Sequence, residues 1–130
     1  MKWYIAARFD EKEKVREIHQ LLAVYGHTIT SDWTVHLPIK PYDHHERESR
    51  EYSLADIDGV RESDIFVLLS DDAGTGMYVE LGTAIASHLT FGKPLIYVVG
   101  EHSSRSMFYF HPSVKRRKTI EDVLGEIKET

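Results

Sequence analysis

Ile65-Phe66-Val67-Leu68-Leu69-Ser70-Asp71-Asp72-Ala73-Gly74-Thr75-Gly76-Met77-Tyr78-Val79-Glu80-Leu81-Gly82 decides the reading of the fold. Five consecutive apolar residues read as a strand, the acidic and glycine-rich run after them as a turn, and Met77–Phe91 as an amphipathic helix. In open parallel sheets, ligands bind at such strand-to-helix turns. Glu80 falls in the first turn of the helix, where the positive end of the helix dipole favours a charged carboxylate. A lone glutamate there also reads as simple dipole compensation. Neighbours must decide between the two.

Working outward, apolar spacing alternates between strand-like runs and helical periods, the pattern of a parallel sheet covered on both faces. A first strand is expected at Lys2–Ala7, and a helix from about Asp10, with Asp10 as N-cap and Glu13 three residues on. Val15, Ile18, Leu22 and Tyr25 share one face of that helix, and Gly26 ends it. Next come a strand over His27–Thr30 and a long irregular segment from Ser31 through Pro38 and Pro41. Segments of that length in compact domains usually carry function, so this one reads as a lid. A helix follows from about Glu46 to Glu62, then the Ile65–Leu69 strand, the Glu80 helix, and a strand over Pro94–Val99. Met107–Phe110 reads as a short edge strand, Lys115-Arg116-Arg117-Lys118 as a solvated loop, and Thr119 as the cap of a final helix to about Lys128. The expectation is an α/β, doubly wound (flavodoxin- or Rossmann-like) three-layer fold with a mainly parallel five-stranded sheet.

The length of 130 residues suits a single domain spanning 1–130. Hydrophobic residues make up 42% and charged residues 28%, as in ordinary globular proteins, and no apolar run approaches the roughly 18 residues of a membrane span. The N-terminal residues read as a strand rather than a signal peptide, and the chain has no cysteine, so a cytoplasmic location is expected. A net charge of −5 argues against binding nucleic-acid polymers, which depends on clustered Lys and Arg at phosphates.

Several side chains could join Glu80. Asp56 lies near the end of the helix before the central strand, with Tyr52 and Val60 on its face. Taken alone, it reads as a surface carboxylate. Asp58 is about 200° further round the helix axis, so the two aspartates cannot serve one site. Of Asp71 and Asp72, one caps the turn and the other is free for a ligand hydroxyl; Asp72, nearer the glycines, is the ligand candidate. Gly76 and Met77, at the mouth of the helix, are candidate substrate contacts. Tyr4 reads either as a core tyrosine or as a donor that orients Glu80. Arg8, beside a helix N-terminus, reads either as a solvated side chain or as a grip on an anion. His36, His44 and His45 with Asp43 and Glu46 match no zinc spacing, so no metal is assigned. Gly74-Thr75-Gly76 lacks the Lys-Ser/Thr of a P-loop, and no GxGxxG opens the first helix, which disfavours ATP and NAD sites.

Tyr4-Ile5-Ala6, Asp56-Ile57-Asp58-Gly59-Val60 ahead of Ser63-Asp64, the Asp71-Asp72 turn, Gly76-Met77-Tyr78-Val79-Glu80-Leu81-Gly82-Thr83-Ala84 and Gly92-Lys93-Pro94 together resemble the nucleoside 2-deoxyribosyltransferase family. The resemblance spans roughly residues 3 to 99. It implies Glu80 as nucleophile, Tyr4 as its hydrogen-bond partner, Asp56 as the group that handles the base proton and Asp72 as a sugar contact. It further implies a small-molecule nucleoside or nucleotide substrate, a free nucleobase as acceptor, no cofactor, and a homodimer or higher homo-oligomer. Trp33 reads either as a stacking platform for the base or as a partly buried structural Trp, and Arg8, Ser104 and Arg105 are candidates for phosphate recognition.

Under that resemblance the expected reaction is transfer of a 2-deoxyribosyl group between bases through a covalent glycosyl-Glu80 ester, with retention. If water takes the ester instead, the enzyme is an N-glycosidic hydrolase, including of 2′-deoxynucleoside 5′-monophosphates. Because fold alone does not determine function, a noncatalytic nucleotide-binding module is the alternative from another class.

Overall fold

The apolar run Ile65–Leu69 is the central strand of the structure, a computed structural model that describes residues 1–128. The strands are β1 (Lys2–Ala6), β2 (Thr28–Ile29), β3 (Ile65–Leu69), β4 (Leu95–Val99) and β5 (Val114–Arg117). The helices are α1 (Lys12–Val24), α2 (Glu46–Glu62), α3 (Met77–Phe91) and α4 (Ile120–Lys128). The sheet runs β2-β1-β3-β4-β5 with every pair parallel. Parallel neighbours require crossover helices, and these cover both faces; β3 is accordingly buried along its whole length.

Side-chain alternation sorts the core into two halves. Tyr4 is registered with Phe66 and its ring stacks on it, and this face meets α2, whose Gly59 approaches Tyr4 closely. Leu69 points the other way, into a groove bordered by α1 and α4. The order of the strands puts the switch in winding direction between β1 and β3, where doubly wound sheets bind ligands.

Three local expectations are corrected. Asp10 does not cap α1: a 3-10 turn, Phe9–Glu11, intervenes, and the Asp10 carboxylate lies 3.7 Å from Arg8 instead. Met107–Phe110 is a 3-10 turn rather than a strand, because the Ser106 hydroxyl accepts the Phe108 N–H and curls the chain so that only Tyr109 is buried. The fifth strand is the basic cluster itself. Its charges suit an edge: the Arg117 guanidinium and the Lys115 ammonium lie over the Tyr97 ring and reach Glu126 of α4, while Arg116 covers Phe110 on the opposite face. Thr119 does cap α4, accepting the Asp122 N–H at 3.1 Å while Asp122 accepts the Thr119 N–H at 3.3 Å.

The segment after β2 is pinned rather than free in its first half. Trp33 and Thr34 are buried, the Trp33 indole donates to the Ile5 carbonyl at 2.6 Å, and Arg16 donates to the Thr34 carbonyl at 2.7 Å.

Gly59 sets the distance between α2 and the sheet. A Cβ there would stand 2.7 Å from the Ser31 Cβ and 3.2 Å from the Tyr4 ring. Gly59→Ala gains about 1 kcal/mol of helix propensity but forces α2 outward, and overpacking of this kind costs about 1–3 kcal/mol. We therefore expect the variant to melt at or below the wild-type temperature in a thermal unfolding scan. A clear rise in melting temperature would show that α2 has room to spare.

Candidate active site

Four elements bring the site together. β1 supplies Tyr4, buried and facing α2 and α3; the first turn of α3 supplies Glu80; α2 supplies Asp56; and the pinned segment after β2 supplies Ser31 and His36. The Tyr4 hydroxyl donates a hydrogen bond to Glu80 Oε2. Glu80 is half-buried, and burial pushes its pKa up from an ordinary 4.5 to about 7. The Tyr4 hydrogen bond opposes that rise, and the charge of Asp56 adds to it. The two carboxylates are thus close enough to feel each other.

Asp56 is also partly buried, with 23% of its side chain exposed. Burial raises its pKa, against the influence of His36, whose Nε2 lies 4.0 Å from Oδ1, and of the Ser31 hydroxyl, which donates at 3.4 Å. The His36 ring stacks on Tyr52 with centroids 3.9 Å apart, and the Tyr52 hydroxyl accepts the Leu37 N–H. Sequence reasoning considered His36 only as a metal ligand. A signal for its place did exist: Tyr52 precedes Asp56 by four residues on α2, so a ring resting on Tyr52 lies beside Asp56.

A pair of carboxyl groups whose charges disfavour each other, one gripped by a phenol and the other beside an imidazole, can divide the tasks of nucleophile and proton donor. Among the described residues no three His, Asp or Glu side chains converge as metal ligands would.

The remaining sequence-predicted residues fall in two groups. Arg8 and Asp72 line an open cavity of about 490 Å³ along the carboxyl ends of the strands, together with Asp71 and His102. There Asp71 is the turn-forming residue, accepting the Ala73 N–H at 3.0 Å, while Asp72 is exposed. Gly76 is exposed at the start of α3. Two expectations are corrected. Met77 is 3% exposed, so its side chain belongs to the core below the helix start rather than to a ligand surface. Trp33 is 6% exposed with its N–H engaged by Ile5, so it packs as a structural indole against Phe9 instead of offering a free face for stacking.

No family model matches the chain, and no curated protein does. Among solved structures, it is similar to the CMP N-glycosidase BcmB of Clostridium botulinum, with a TM-score of 0.61 and 14% identity over 98% of this chain and 99% of that one. At that identity the likeness shows a shared α/β fold. No helix among the described residues is long and apolar enough to cross a membrane.

The opposing influences on Glu80 can be separated by titration. Carboxyl-selective NMR should find Glu80 titrating near 7, and Tyr4→Phe should move the midpoint up by about one unit, because the lost hydrogen bond stabilised the ionised form. A wild-type midpoint in the ordinary range, or a downward move in the variant, would contradict this account of the site.

Proposed function

We propose that this chain is an enzyme that cleaves the N-glycosidic bond of nucleosides or nucleotides through a covalent glycosyl ester on Glu80. One observation carries the proposal: a half-buried carboxylate bonded to a buried tyrosine, with a second carboxyl beside it, at the winding switch of a parallel sheet. The resemblance in motif order and the fold shared with a CMP N-glycosidase both support it.

In the first step a Glu80 oxygen attacks C1′ as the bond to the base breaks, and Asp56 gives its proton to the departing base nitrogen. The burial that raises the pKa of Asp56 favours its holding that proton. Tyr4 keeps Glu80 ionised and aimed, and its bond must loosen as the carboxylate charge passes into the ester. In the second step an acceptor attacks C1′ from the face the base has left and gives its proton to Asp56, while the ester bond breaks and returns the Glu80 carboxylate, so the configuration is retained overall. A second nucleobase makes the protein a transferase, as the family resemblance implies. Water makes it a hydrolase, which the N-glycosidase fold neighbour supports. Neither course needs a cofactor. Arg8 and Asp72, in the cavity along the carboxyl ends of the strands, are the groups we assign to the sugar and its 5′ substituent. The reading includes a homodimer or larger assembly, for which Phe108 and Phe110, 56% and 54% exposed, offer apolar surface.

Incubation with deoxynucleosides plus a different free base, and separately with deoxynucleoside 5′-monophosphates and CMP, followed by chromatography, tests the proposal. Exchanged nucleoside is the product of transfer, and free base with sugar or sugar phosphate is that of hydrolysis. Glu80→Gln should lower the rate by at least about a thousandfold, with circular dichroism unchanged. Unaltered substrate in every mixture, or substantial turnover by Glu80→Gln, would refute it.

A further inference from the structure

The turn that launches α3 is held from outside on two flanks, by Arg105 through the turn's backbone carbonyls and by Arg8, whose Nε lies 3.6 Å from Asp71 Oδ2. Arg105, in the segment between β4 and β5, directs its Nη1 at the carbonyls of Asp71 (3.1 Å), Ala73 (3.1 Å) and Gly74 (3.5 Å). In a trans peptide the C=O of one residue and the N–H of the next point in opposite directions. Gathering these three carbonyls on one guanidinium therefore turns the N–H groups of Asp72, Gly74 and Thr75 away from Arg105. On its other flank the turn meets Arg8, whose stem lies 3.2 Å from where a Cβ on Gly74 would stand; Gly74 itself has φ +85°, open to glycine alone at little cost.

The turn in its own right is weakly specified. It contains two glycines, and its internal side-chain bonding centres on Asp71, which accepts the Ala73 N–H. Its far end is continuous with the helix, since the Thr75 and Gly76 carbonyls accept the N–H groups of Tyr78 and Val79. Whatever sets the peptide planes of 71–74 therefore sets the start of α3, whose fourth residue is Glu80. The same outer segment touches α3 a second time: buried Tyr109, four residues after Arg105, places its hydroxyl 3.5 Å from that of Tyr78.

We propose that Arg105 is a positioning residue for the Glu80 site, its Nη1 gathering the turn carbonyls and so fixing the face that the turn presents to substrate. The functional half of this inference rests on the proposed glycosidic activity; the structural half does not. Because one nitrogen makes all three contacts, a lysine ammonium with three donors can stand in for it.

Arg105→Ala and Arg105→Lys, compared with wild type by hydrogen exchange and by kinetics on the best substrate, test it. In Arg105→Ala, amides in the peptide covering 72–77 should exchange about tenfold faster. KM should rise about tenfold with a smaller change in kcat, as expected when contacts made in both ground and transition state are loosened. Arg105→Lys should recover most of both effects, which nonspecific loss of stability would not allow. Unchanged exchange in Arg105→Ala, faster exchange with unaltered kcat/KM, or a lysine variant no better than alanine would overturn the proposal. Wild-type protein inert toward every substrate would remove the activity it serves, and the exchange result would then separate a true contact at the turn from a false one.

Discussion

Glu80 is kept in a contradiction on which the rest of the site depends. Burial and the nearby Asp56 favour its neutral form, while the Tyr4 hydroxyl favours the ion. A carboxylate exposed to water would need neither influence and would be a poor nucleophile; one buried without Tyr4 would hold its proton. The balance leaves the group near neutrality, where a small change in its surroundings adds or removes the proton. Tyr4 can play this part because β1 is an interior strand that lies beside β3, so its hydroxyl has no water to turn to.

The architecture explains why these groups meet although they lie far apart in the chain. Tyr4 and Glu80 are separated by 76 positions, yet the register of β1 with β3 and the short turn after β3 set the start of α3 above Tyr4. Gly59 lets α2 come down onto the same ring, and with it Asp56, less than one helical turn earlier. His36 reaches Asp56 because Trp33 anchors the preceding chain to the Ile5 carbonyl. Packing and chemistry therefore share residues here: side chains that hold β1 against α2 and the segment after β2 also set the distances in the site.

Much of this was legible in the residues. The run Ile65–Leu69, read as an apolar strand, is one and is buried throughout, and Tyr4, read as either a core tyrosine or a partner of Glu80, is buried and hydrogen-bonded to Glu80. The misses have physical reasons. Lys115–Lys118 looked like a solvated loop because hydropathy ignores the contacts of the Lys115 and Arg117 cations with the Tyr97 ring, and an edge strand tolerates charge. Met107–Phe110 looked like a strand by composition, but a serine cap outweighed β propensity over four residues. Residue type suits Trp33 for stacking and chain position sets Met77 at the mouth of a helix, but neither says which way a side chain points. The His36–Asp56 contact joins a loop to a helix, and no local periodicity encodes such a pair.

The central claim is that a sugar carbon becomes bonded to Glu80. A 2′-deoxy-2′-fluoroarabinosyl nucleoside, whose fluorine slows breakdown of the ester more than it prevents its formation, should let the intermediate accumulate. Mass spectrometry of the intact protein and then of its peptides should show one added fluoropentosyl mass, carried by Glu80 and missing from Glu80→Gln. Release of free base from that nucleoside without any adduct, or an adduct on another residue, would contradict the account.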